Sequence, residues 1–337
     1  MSSKVLIYRI FKIVLLIIVT FNLIAFIGVH AAHNEVFSRA DYDDYDSSKY
    51  LTYNDIDSVQ YPREALKINS EENVLTGFLY GADSTKGIIV VSPGHRDAND
   101  IKLYEIMYFV DAGWMVLSFD YTGCYNSEGK SMVGYVQAPK DLNAVLSYVE
   151  TEARFDNMPI LLFGHSLGAY ASTAVLQYNH NVAAVVATSG FDNPKEQWEY
   201  SVKRSTGIFG NLLKPYAGMY MDMKFRDEAH LSAIDGINST DIPVLIISGT
   251  DDEFYGGESK LYKRQHEITN KNCEFLLMDK EGHNGHYNYF LTAEALEYQK
   301  KINSGGITEL DKSLYMEHDK EFLEYINSFY LRVIRNN

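Results

Sequence analysis

The chain has 337 residues, 46% hydrophobic and 22% charged, enough for one large globular domain or two small ones. Its formal net charge of -15 would repel a phosphate backbone and argues against nucleic acid as a partner. Two cysteines, Cys124 and Cys273, offer neither a disulfide framework nor a Cys-based zinc pattern, and both are expected to be free.

Lys4, Arg9 and Lys12 precede an apolar run from Ile13 to Val29, about 17 residues and near the lower limit for a membrane span. Asn22 is its only strongly polar member, and no acidic residue occurs before Glu35. Basic residues ahead of a span predict a cytoplasmic N-terminus with the rest of the chain outside. Val29-His30-Ala31 also has the small-x-small form of a signal-cleavage site, so a secreted protein is the competing expectation. Without residues 1–31 the chain keeps 27 basic and 45 acidic residues, a net of -18. Residues 32–60 are polar and rich in Asp and Tyr, including Asp41-Tyr42-Asp43-Asp44-Tyr45-Asp46, and read as a linker.

From residue 61 the pattern is that of a folded domain. Ala65–Ile68 and Val74–Tyr80 alternate as two antiparallel strands around Asn69–Asn73. Gly87–Ser92 is fully apolar apart from its last residue, as in a sheet covered on both faces, and runs into Pro93-Gly94-His95-Arg96-Asp97. A helix over 100–112, a strand over 114–121 and a helix over 138–151 follow. After them comes Pro159-Ile160-Leu161-Leu162-Phe163-Gly164-His165-Ser166-Leu167-Gly168. Here an apolar strand ends in Gly-x-Ser-x-Gly and a small-residue helix begins at once. This order is a nucleophile elbow: the turn lifts the Ser166 hydroxyl clear of the backbone, and the glycines let strand and helix approach closely. The helix start aims N–H groups at developing negative charge.

Val182–Ala187 is the next buried strand. Residues 191–241 then break the rhythm with Trp198, Phe209, Tyr216, Met219, Tyr220 and Met223. Strand character returns over 242–248, a helix is expected over 259–269, and the last strand runs over 273–279. Helices over 291–303 and 310–332 finish the chain. Alternating strands and helices predict an α/β fold with a doubly wound, mostly parallel sheet and an antiparallel edge from the first hairpin.

The order of parts resembles the α/β-hydrolase fold from about residue 65 onward. The likeness rests on Gly164-His165-Ser166-Leu167-Gly168, Pro93-Gly94-His95, Phe119-Asp120-Tyr121-Thr122-Gly123, Gly249-Thr250-Asp251-Asp252 and Gly282-His283. Within that superfamily the chain looks most like bacterial esterases and serine-aminopeptidase-like hydrolases. The resemblance implies a Ser–acid–His triad in that chain order, and a helical cap at about 191–241 over the site, whose aromatic and methionine side chains can line an apolar pocket. Ser166 is then the nucleophile and His283 the base, with His286 as the competitor. Asp252 is the acid, with neighbouring Asp251 and Glu253 and the more distant Asp192 as competitors. The backbone N–H groups of Leu167 and His95 are the expected oxyanion donors, and Pro93 stands where relatives commonly carry histidine. Asp120 is expected to hold the loop 122–129, and His165 to pack rather than react. Cys124 is expected to have no catalytic part.

No metal or cofactor is implied, because such a triad supplies nucleophile and base itself. The expected activity is cleavage of a carboxylic ester, or alternatively a peptide or amide bond, by an exported, membrane-anchored enzyme acting on a small-molecule substrate. A non-catalytic binding protein on a hydrolase scaffold is the expectation of a different class.

Overall fold

The computed structural model describes residues 3–42, 49–306 and 309–336. Asp43, Asp44, Tyr45 and Asp46, the centre of the expected linker, lie outside the described residues. Helix α1 spans Ser3–Val36, so the first residues assigned to the linker are helical. Side chains from Lys4 to Ile24 are exposed all round this helix. Beyond the helix, Ala40 pairs with Cys124, and Arg39 donates to the backbone carbonyls of Tyr125, Ser127 and Gly129, docking the chain onto the loop after β4 (Met115–Phe119).

Strands β1 (Arg63–Ser70) and β2 (Asn73–Tyr80) form the expected antiparallel hairpin, with Ile68 opposite Leu75 and Ala65 opposite Phe78. The chain continues through β3 (Ile88–Ser92), α2 (Leu103–Asp111), β4, α3 (Gln137–Thr151), β5 (Ile160–His165), α4 (Leu167–Ala174) and β6 (Val182–Thr188). Helices α5 (Pro194–Ser205), α6 (Gly210–Phe225) and α7 (Ala233–Asn238) precede β7 (Val244–Gly249). Then come α8 (Lys260–Lys263), β8 (Cys273–Met278), α9 (Ala293–Asn303), α10 (Lys312–Tyr315) and α11 (Lys320–Asn336). The sheet order is β1-β2-β4-β3-β5-β6-β7-β8. The hairpin joins β4 antiparallel, and every pairing from β4 to β8 is parallel. This is the expected α/β architecture.

β3 to β7 are buried along their whole length but for Ala183 in β6, which is why they read as continuous apolar runs. One face of the sheet packs on Ile106 and Phe109 of α2 and on Phe322, Ile326, Phe329 and Tyr330 of α11. The spacing of the last four is that of one helical face. Two buried hydrogen bonds tie α11 down: Trp114 Nε1 donates to Asn327 Oδ1 at 2.8 Å, and the Tyr330 hydroxyl to the Leu162 carbonyl at 2.7 Å.

The helix expected over 259–269 is only one turn long before a 3-10 turn takes over. The helix expected over 310–332 is two helices. Met316 ends α10, His318 pairs with Leu291 in an extended bridge, and the Asp319 carboxylate caps the next start by accepting from Glu321 N–H at 2.8 Å. The break carries the His318 ring into the interior, where it is 3% exposed.

The chain divides into two compact units. Residues 39–192 and 231–336 carry the sheet, and residues 3–38 and 193–230 form the other. The second unit thus takes α5 and α6 from the stretch expected as a cap, together with α1. Within it Ala25, Val29, His33 and Phe37 are buried, with the His33 ring 5.1 Å from Trp198 and 4.9 Å from Tyr220.

The β5–α4 junction leaves no room for a side chain. A methyl group on Gly168 would lie 2.0 Å from the Ser92 carbonyl oxygen, and one on Gly164 2.2 Å from the Gly168 carbonyl oxygen. Both obstacles are backbone and cannot rotate away. Gly168→Ala is therefore expected to lower stability by about 3 kcal/mol or more, read as a fall in the thermal midpoint. A Gly168→Ala protein unfolding at the wild-type temperature would show that the elbow is loosely packed.

Candidate active site

The tight junction sets the backbone of Ser166. It sits at φ 54° and ψ -111°, a conformation that L residues rarely adopt, between the end of β5 and the first turn of α4. Its N–H donates to the Thr188 carbonyl at 2.9 Å, which holds the turn on the end of β6. The Ser166 side chain remains partly exposed while its neighbours His165 and Leu167 are buried. Because Gly168 lies against Ser92 and Pro93, the loop that carries Gly94 and His95 stands beside the start of α4. Gly94 N–H donates to the Asp97 carboxylate at 3.1 Å, and Arg96 takes φ 61°, so this loop is a closed turn. The expected oxyanion donors, Leu167 and His95, thus come from two adjoining segments. The His95 ring packs edge-on to Tyr135, with centroids 5.8 Å apart.

The expected acid and the two candidate bases lie in the loops after β7 and β8. Asp252 is fully buried, whereas Asp251 and Glu253 are exposed. One Asp252 oxygen accepts from the N–H groups of Phe254 (2.8 Å) and Tyr255 (3.3 Å). The other lies 2.6 Å from Nδ1 of His286. The expectation of His283 as the partner is therefore corrected: His286 holds that place. His283 sits in the preceding turn, partly exposed, near the Leu291 backbone, and burial lowers its pKa below the usual imidazole value.

The reason for the switch is a close approach. A methyl group on Gly249 would meet the carbonyl oxygens of Asn284 (2.1 Å) and Gly285 (2.5 Å), so the two loops touch at residues 284–286. The loop after β8 contains Gly-His twice, as Gly282-His283 and Gly285-His286. Gly282 faces open space, whereas a side chain on Gly285 would strike Glu253 and Asn288. Glu253 accepts the His286 N–H at 2.8 Å, and Ser189 donates to the His286 carbonyl at 2.9 Å. Thr188 and Ser189 at the end of β6 thereby anchor both Ser166 and His286.

Other candidates are structural. Asp192 pairs with Arg264 at 2.8 Å and accepts from Ser232 and from the Ile234 N–H at the start of α7. Asp120 accepts from Asn99 and Asn126 and so holds the loop after β4, as expected. Burial pushes the Cys124 thiol far above its ordinary pKa, so it stays protonated. His165 bonds Thr188 at 3.0 Å and lies edge-on to the His286 ring at 4.9 Å. Burial, with Lys102 and His286 nearby, keeps its pKa well below the usual range, so it is a neutral wall for His286.

One cluster behind this wall was not found from sequence. Lys102 and Glu105, on adjoining helical turns, are buried 3.5 Å apart, and His318 Nε2 lies 3.3 Å from the same carboxylate. Tyr287, next to His286, donates to Glu105 at 3.1 Å, and its ring centroid is 4.1 Å from the Lys102 ammonium. The histidine loop is therefore pinned to a buried ion cluster. Lys102 and Glu105 stand three residues apart, and the break before His318 brings its ring to the same carboxylate.

A family model described as serine aminopeptidase, S33, matches residues 83–235. Among curated proteins, human Protein ABHD12B is 28% identical over 166 residues, covering 48% of this chain and 43% of that protein. Thiohydrolase apmlB of Arthrinium phaeospermum is 29% identical over 117 residues, covering 34% of this chain and 38% of its own length. The chain thus spans less than half the length of these curated relatives. An esterase of Pyrococcus furiosus superposes with TM-score 0.54 at 18% identity, over 76% of this chain and 92% of the esterase. An acylaminoacyl peptidase of Pyrococcus horikoshii gives 0.50 at 15%, over 67% and 37% respectively.

The buried cluster has a pH signature. Burial alone would raise the Glu105 carboxyl, but Lys102 and His318 outweigh it and hold its pKa at about 2, against 4.5 for a free glutamate. A depressed carboxylate stabilises the fold above its unfolded pKa, and that contribution is lost as pH falls from about 4.5 to about 2. Glu105→Gln should remove this acid-side slope and, by leaving Lys102 unpaired, cost about 3 kcal/mol at neutral pH. Denaturant unfolding between pH 2 and 7 reads both effects, and an unchanged profile would mean that Glu105 is not held by these partners. By its sheet and by the structures it superposes on, the chain has the α/β-hydrolase fold, and its residues 83–235 match the serine aminopeptidase model.

Proposed function

We propose that this protein is a membrane-anchored serine hydrolase that cleaves carboxylic esters through an acyl-enzyme. The observation that carries the reading is the His286–Asp252 contact of 2.6 Å beside a strained, partly exposed Ser166. With Nδ1 committed to the carboxylate, Nε2 of His286 is the nitrogen left to accept a proton. Ser166 Oγ attacks the substrate carbonyl carbon as His286 takes its proton, and the charge that develops on His286 is stabilised by Asp252. The N–H groups of Leu167 and His95 receive the oxyanion. His286 then returns the proton to the leaving alcohol. Water, activated by the same histidine, releases the acid and regenerates Ser166.

Cleavage of a peptide or amide bond would use the same residues, and the matched serine aminopeptidase model and the acylaminoacyl peptidase likeness keep that reading alongside the ester one. The esterase of Pyrococcus furiosus, similar over a larger share of this chain, favours the ester. The anchor reading is supported by α1 itself. From Ile13 to Ile24 its exposed side chains are apolar but for Thr20 and Asn22, which water does not favour. Its Phe21 and Asn22 meet Tyr216, and its Phe26 and His30 meet Tyr220, so cleavage after Ala31 would strip these partners from α6. The basic residues ahead of the span support a catalytic unit outside the cytoplasm.

A fluorophosphonate is expected to label Ser166. Labelling and ester turnover should fall about 10⁴-fold or more in Ser166→Ala and His286→Ala, while His283→Ala keeps both near the wild-type level. Asp252→Asn should lose a comparable factor through the wrong tautomer. If the folded protein takes no label, or if His283→Ala loses it and His286→Ala does not, the proposed mechanism is wrong. A panel of esters, thioesters and amino-acyl amides then decides the bond cleaved.

A further inference from the structure

From the residues of α1, α5 and α6 we infer that the α5–α6 hairpin is itself a membrane-inserted element, its tip buried in the acyl chains alongside the membrane-spanning half of α1. The inference rests on the anchor reading of α1.

Helix α6 runs parallel to α1. Tyr216 meets Phe21, with ring centroids 6.1 Å apart, and its hydroxyl donates to Asn22 at 2.8 Å. Tyr220 meets Phe26 at 6.0 Å and His30 at 5.7 Å, and Phe225 meets His33 at 5.6 Å. The beginning of α6 and the turn before it therefore lie further toward the membrane-spanning half of α1. At about 1.5 Å per residue, Ile208 sits roughly 10 Å beyond Asn22 in that direction. Asn22 is already inside the apolar run, and Tyr216 gives its amide the partner that hydrocarbon cannot.

The tip has the composition this position requires. Ile208 is 92% exposed, Phe209 58% and Leu212 51%, on a turn reading Gly207-Ile208-Phe209-Gly210-Asn211-Leu212-Leu213. Solvent alone would leave this apolar tip costly, whereas acyl chains cover it. No acidic residue occurs between Glu199 and Asp222, in a chain with a net charge of -15. That stretch carries Lys203, Arg204 and Lys214, all exposed, and Lys214 pairs with Glu199 at 3.3 Å. Their long stems let the charged ends snorkel toward headgroups while the apolar tip stays in hydrocarbon. Beside the tip, a groove of about 390 Å³ runs between α1 and α5, lined by Phe21, Ala25, Val29, Trp198, Val202 and Leu213, and suits a single acyl chain.

The test uses the full chain in vesicles of phosphatidylethanolamine and phosphatidylglycerol. A polarity-sensitive fluorophore is placed on Ile208→Cys in a Cys273→Ala background, with the buried Cys124 serving as blank. Leu16→Cys reports the span and Asn272→Cys a water-exposed site. Acyl-chain nitroxides should quench the labels at 208 and 16 alike, at least twofold more than at 272, while aqueous cobalt should quench only 272. Phe209→Cys should repeat the result at 208. A label at 208 that behaves like 272 while 16 reports lipid overturns the insertion and leaves the anchor standing. Water exposure at both 208 and 16 overturns the anchor reading together with this one. Shielding of 208 from both quenchers would mean that protein, such as a second copy, covers the tip, and would also overturn it.

Discussion

Gly168 and the Ser92 carbonyl oxygen approach so closely that not even a methyl group fits between them, and the rest of the site follows from that contact. It presses α4 onto the end of β3, forces Ser166 into a left-handed backbone, and brings the loop after β3 alongside the first N–H groups of the helix. The strain is local and is held by fully buried strands on either side. A second close approach, of Gly249 on Asn284 and Gly285, does the same for the acid and base loops. Both contacts are between backbones, which cannot adjust as side chains can. The positions of serine, carboxylate and imidazole are therefore set by the sheet.

Electrostatics completes what packing begins. Asp252 is buried but has both oxygens satisfied by backbone N–H groups and by His286, so its charge has partners. The imidazole is held at its own backbone by Glu253 and Ser189, edge-on by a neutral His165, and through Tyr287 by the Lys102–Glu105–His318 cluster. A buried ion cluster is not a cheap source of stability, since desolvation opposes it. Its contribution here is the placement of one loop relative to the sheet.

On the anchor reading, the other compact unit meets a different solvent. In water a helix apolar all round from Ile13 to Leu23 but for Thr20 and Asn22, a turn exposing Ile208 and Phe209, and a tyrosine committed to an asparagine in an apolar stretch would each be unfavourable. Next to a bilayer all three follow from the same requirement, that apolar surface face hydrocarbon and polar groups find internal partners. The charge distribution agrees, with basic residues at the tip and the acidic excess carried by the sheet-bearing unit.

Sequence periodicity and two motifs were enough for the architecture: the buried strands read as apolar runs, the edge hairpin as alternation, and the elbow as Gly-x-Ser-x-Gly between strand and helix. Each of these signals is local, set within a few residues by backbone geometry. The choice among Asp251, Asp252 and Glu253, and between His283 and His286, was different in kind. Those residues lie in loops with no period, and the loop after β8 offers two Gly-His pairs of equal local merit. Contacts made by Gly249 across to residues 284 and 285, more than thirty positions away, decide which histidine meets the carboxylate. The Lys102–Glu105–His318 cluster was invisible for the same reason, because the break before His318, far along the chain, brings its ring to the same carboxylate. What the sequence by itself determined was the fold, the elbow serine and the apolar first helix. Which acid and which base stand together was decided only by the tertiary structure, because loop–loop approach is a property of packed backbones and leaves no periodic trace in the chain.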